Sequence, residues 1–83
     1  MRARHAYRIV HRRGGLTPAA LDPDRMEQVE IVSLDDGEVV LFWDLTAAHA
    51  RRVLRLMRAE LVQMDAREFF ERWASFEGEA DLG

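Results

Sequence analysis

At 83 residues the chain is sized for one domain, and a domain this small buries only about 60% of its unfolded surface, so its stability is marginal. The absence of cysteine excludes disulfides and thiolate metal sites. No apolar run approaches the ~20 residues of a membrane helix, and the basic N-terminus lacks the apolar stretch of a signal peptide, so cytoplasmic residence is the expectation.

The net charge of −3 conceals alternating blocks: +5 over residues 1–21, −7 over 22–44, +3 over 45–64 and −4 over 65–83. Such blocks neutralise one another inside a fold or present a basic face to an acidic partner. All twelve basic residues are arginine.

Residues 5–12, HAYRIVHR, alternate loosely, with Tyr7, Ile9 and His11 on one side and Arg8, Val10 and Arg12 on the other. That is a strand pattern, and Gly14-Gly15 ends it. Residues 16–26 hold both prolines and no periodicity. The Thr17–Met26 connection reads as a binding loop or an excursion without order.

A hairpin follows, with strands near Glu27–Leu34 and Glu38–Asp44 joined at Asp35-Asp36-Gly37. A two-residue turn would pair Ile31 with Phe42. A three-residue turn with Gly37 left-handed pairs Ile31 with Leu41 and Val29 with Trp43. The second register puts Val29, Ile31, Val39, Leu41 and Trp43 on one face and Gln28, Glu30, Val32, Val40, Phe42 and Asp44 on the other. A slip of one residue would mix the faces, so the second register is expected.

Thr46 is a short hydroxyl residue placed to cap a helix. Ala47, Ala50, Val53, Leu54, Met57, Leu61 and Met64 then share one helical face. Asp65-x-x-Glu68 reads as a capping box, and Phe69, Phe70, Trp73 and Phe76 make a second stripe that does not line up with the first. A break near Asp65 is therefore expected. Arg67–Glu71 and Glu68–Arg72 are i,i+4 pairs. The expected fold is α+β, in the order β-β-β-α-α: a three-stranded, mostly antiparallel sheet with one face on two helices, spanning residues 1–77, and a frayed polar tail over 78–83.

Two helices cover one sheet face and not both. Tyr7, Val32, Val40 and Phe42 are accordingly expected on an uncovered face, where a second copy of the chain is the simplest cover. Folding of the Thr17–Met26 loop over the same patch is the alternative.

The histidines make no metal spacing: His5 and His11 lie about 20 Å apart in a regular strand, and there is no H-E-x-x-H pattern. Asp22-Pro-Asp24-Arg-Met-Glu27 lacks the glycine and the terminal glutamate of a calcium loop. Ser33, Ser75, Thr17 and Thr46 have no glycine-rich elbow or phosphate loop beside them. No cofactor, no metal and no enzymatic activity is expected. Arg51, Arg55 and Arg58 form a helical stripe, and with Arg8 and Arg12 they are the candidates for contact with a protein partner or with phosphate. The overall pI near 5.5 favours a protein partner over nucleic acid. A ligand pocket between sheet and helices would need an unfilled core.

The stretch from Leu34 to Arg58, with its strand, "LDDG" turn, strand, "DLT" cap and arginine-bearing helix, resembles the N-terminal dimerisation module of actinobacterial nucleoid-associated silencers. The resemblance covers roughly a third of the chain and implies a bacterial dimer. It ends at the aromatic second helix, where that family carries a linker and a basic DNA-binding domain. The expected function is thus a small non-enzymatic interaction protein that forms a homodimer through its hairpin sheet, with a nucleic-acid-binding regulator as the alternative.

Overall fold

The computed structural model describes residues 1–13 and 25–78. Its elements run α1 (Ala3–Ala6), β1 (Tyr7–Arg13), β2 (Met26–Ser33), β3 (Val39–Thr46), α2 (Ala47–Gln63) and α3 (Ala66–Ala74). The strands form one antiparallel sheet in the order β1-β2-β3, so the α+β fold is as the sequence pattern predicts. The expected loop over Thr17–Met26 lies outside the described residues apart from Arg25 and Met26.

The hairpin register follows the apolar pattern. Val29 pairs with Trp43 and Ile31 with Leu41. The expected three-residue turn is replaced by a wider one. Val32 pairs with Val39, so Val40 is an inserted bulge residue. Ser33 donates to the Glu38 carbonyl at 2.8 Å, and Gly37 closes the turn at φ +75°, a left-handed conformation that suits glycine. The bulge removes Val39 from the core row where it was expected; it is exposed.

Apart from Val39, beyond the bulge, odd-numbered strand residues face the helices. Val29, Ile31 and Leu45 are fully buried, and Tyr7, Ile9, Leu41 and Trp43 pack against them. Thr46 caps α2 as predicted, accepting from the His49 amide, and Ala47, Ala50, Val53, Leu54 and Met57 are buried. At Met64 the backbone becomes extended (ψ 155°), and Asp65 caps α3 by accepting from the Arg67 amide. The break turns Phe69 and Trp73 onto the sheet. Trp43, Trp73 and Phe76 pack edge to face with centroids 5.2–6.1 Å apart, and the Trp43 indole donates to the Phe76 carbonyl at 3.0 Å.

Three expectations are corrected. Tyr7 lies on the helix side, stacked on Phe69 and Phe70; it has the parity of Ile9, which carries it into the core and off the uncovered face. Arg72 reaches Glu60 on α2 at 3.2 Å and stacks over the Trp73 ring, where Glu68 was expected as its partner. Gly78, placed by the sequence reading in a frayed tail, is buried beside Leu45 and Trp43; the rest of that tail, 79–83, lies outside the described residues. The N-terminal turn α1 has no counterpart in the sequence reading. It is tied to the α2–α3 corner by Ala3 donating to the Met64 carbonyl and Ala66 donating to the Met1 carbonyl.

Candidate functional site

Two surfaces carry the functional candidates, and they lie on opposite sides of the sheet. The first is the open sheet face. Strand alternation and pairing arrange it in rows: Arg12, Gln28 and Asp44; then Val10, Glu30 and Phe42; then Arg8, Val32 and Val39, with the unpaired bulge residue Val40 beside them. Phe42 is 60% exposed and Val40 38% exposed. Val32, on the central strand, is only 4% exposed. Of the four residues expected on the uncovered face, Val40 and Phe42 present apolar surface there, Val32 is buried, and Tyr7 is on the other side.

The charges of this face are ordered. Both arginines are on β1, and Asp44 is on β3. Arg12 donates to Glu30 across the strands at 3.1 Å, which pairs the carboxylate on the central strand.

The second surface is a cleft of about 340 Å³ at the end of β1 and β2 under α2, lined by His11, Arg13, Glu27, Ala47, Arg51, Leu54 and Arg58. Helical spacing brings Ala47, Arg51, Leu54 and Arg58 to one side of α2. Strand parity brings His11, Arg13 and Glu27 to the helix-facing side of the sheet. Glu27 is held at both oxygens: His11 Nε2 donates to one at 2.6 Å and Arg25 Nη2 to the other at 2.6 Å. Burial pushes the Glu27 carboxyl up, and the hydrogen bonds and charges of Arg25 and His11 more than reverse this, leaving it below the usual carboxylate range. Arg13, Arg51 and Arg58 have no carboxylate at ion-pair distance among the described residues.

The five arginines expected as one contact set are therefore divided. Arg51 and Arg58 share the cleft. Arg55 is rotated about 40° beyond Arg51 around the helix and does not line it. Arg8 and Arg12 belong to the open face. The sequence reading counted Arg13 with the basic N-terminal arm without placing it beside Arg51 and Arg58, and it gave no contact role to His11, Glu27 or Arg25. Period-two alternation from Tyr7 and Ile9 would have placed His11 and Arg13 on the helix side, but the Glu27 pairings span strands and have no local signal.

Among the described residues no group of three or more histidines and carboxylates is placed to hold a metal ion, and no helix is long and apolar enough to cross a membrane. Comparison with protein-family models, curated proteins and solved structures returns no match.

Proposed function

We propose that the protein is a small, non-enzymatic interaction protein that forms a homodimer through its open sheet face. The observation that carries this reading is the exposure of Phe42 and Val40 on an ordered sheet face over which no described element packs. Monomers rarely leave such residues adjacent and uncovered.

The charge order of the face selects the geometry. A two-fold axis perpendicular to the strands would lay β1 on its own twin and oppose arginine with arginine. An axis parallel to the strands lays β1 of one copy over β3 of the other. Arg12 then meets the partner copy's acidic edge at Asp44, and Phe42 meets Val10 from the twin. Glu30 also faces its twin across the axis, with each carboxylate already paired to Arg12 of its own copy. The face is self-complementary in charge only in this second arrangement.

Its size sets the strength. Three strands about 4.8 Å apart and some seven residues long project roughly 350 Å² per copy. The contact therefore falls at the low end of specific interfaces, below about 1,200 Å² in total, and a dissociation constant in the micromolar range is expected. The nucleic-acid reading has less support, because it needs Arg8 and Arg12 beside Arg51, Arg55 and Arg58, and the sheet separates the two sets.

Phe42→Arg tests the proposal. The side chain is exposed, so folding stability should change by no more than about 0.5 kcal/mol. By light scattering near 100 µM, wild type should show a mass well above the 9.6 kDa of one chain, and the variant should return to it with an unchanged circular dichroism spectrum. An equal mass for both contradicts the assignment of the face.

A further inference from the structure

We propose that the cleft between β1, β2 and α2 is a binding site for a small phosphomonoester dianion. Arg13, Arg51 and Arg58 converge on one concavity with no carboxylate paired to them among the described residues. Like charges brought together repel, and the arrangement is relieved by an anion that all three reach. Arg51 and Arg58 are seven residues apart, about 10 Å along the axis, and side chains of that length meet between their origins. A guanidinium presents a planar fork that binds phosphate oxygens in pairs.

The one acid among the described lining residues does not oppose this. Glu27 is buried, and both its oxygens are occupied by His11 and Arg25. It acts as an internal counter-charge that fixes the wall, with Arg25 behind it. Ala47 opens the 17-residue helix α2 at the cleft, which adds the positive end of a helix dipole.

The remaining lining defines the rest of the ligand. Leu54 and Ala47 give an apolar floor, and about 340 Å³ is the lower end of small-molecule sites. The site suits one phosphate on a compact apolar group. Three arginines exceed what a single carboxylate neutralises and match a dianion. An extended nucleic-acid strand is disfavoured because, among the described residues, Arg13, Arg51 and Arg58 gather at one cleft. The cleft is across the sheet from the proposed dimer face, so this proposal and that one fail independently.

The test is an amide NMR titration of the full chain with inorganic phosphate, phenyl phosphate and methyl sulfate at constant ionic strength, and with a roughly 12-nucleotide single-stranded DNA. Saturable shifts at His11, Ala47, Arg51 and Leu54 are expected, with phenyl phosphate tighter than inorganic phosphate and methyl sulfate weakest. Arg58→Gln should weaken phenyl phosphate at least about tenfold, and Arg55→Gln less than about twofold. Both side chains are exposed, so neither change threatens the fold. Linear, unsaturated shifts up to about 10 mM, or equal losses in the two variants, would mean an adventitious ion only and overturn the site. Tighter binding of the oligonucleotide than of phenyl phosphate, with the same dependence on Arg58, would overturn the small-ligand assignment.

Discussion

Glu27 has 3% of its side chain exposed and stands between Arg25 and His11. Its carboxyl is held below the ordinary 4.5 of a free side chain, so the folded state binds this proton more weakly than the unfolded state does. The stabilisation is complete above about pH 4.5 and is lost as pH falls through the lower folded value. Glu27→Gln would leave Arg25 buried without a counter-charge, at a cost of about 3 kcal/mol near pH 6. Urea unfolding of wild type and variant should show this difference shrink as pH falls from about 6 to 3. A gap that stays constant would mean that the Glu27 charge does not contribute to stability. This cluster was not legible in the sequence. His11 reads as an ordinary strand residue, Glu27 reads as part of an acidic block, and only the β1–β2 register makes them neighbours. Arg12 shows the same limit: it reads as a free phosphate contact and is found paired across the sheet to Glu30.

The elements were more legible, because their signals are local. Thr46 and Asp65 are read as caps from their side chains and the apolar periodicity that follows, and both accept from the helix amides in the structure. Thr46→Ala should cost about 1 kcal/mol, a fall in Tm of about 4–8 °C for a chain of this size. A loss no larger than that of an exposed control such as Ala48→Ser would show that the cap is dispensable. The hairpin register came from two-residue alternation, which fails only where the bulge inserts Val40. The turn α1 could not be read in this way. Its four residues have no apolar stripe of their own, and they are held by the backbone at Met64–Ala66, more than 60 residues away. Arg72 marks the boundary between local and distant information: helical spacing offers Glu68, and the packing of α3 against α2 offers Glu60 beside an aromatic ring.

For the whole molecule, the sheet is a divider. Its helix side is filled by Val29, Ile31, Leu45, Phe69 and Trp73 and opens into the basic cleft at one end. Its other side carries Val40 and Phe42 under water. An apolar second face was visible in the unbroken run from Val39 to Trp43; which of its residues project was not, since that depends on the bulge. The proposed homodimer is a claim about this face and about one axis, parallel to the strands. That axis passes over β2, so Gln28 of each copy faces its twin across sheets about 10 Å apart. The chain has no cysteine, and one introduced thiol reports without ambiguity. The deciding measurement is the yield of covalent dimer from Gln28→Cys with a short bismaleimide, compared with Leu56→Cys on the exposed side of α2. The proposed geometry predicts efficient, concentration-dependent coupling at Gln28 in the micromolar range and little at Leu56. Equal yields at the two positions, or none at Gln28, would contradict it.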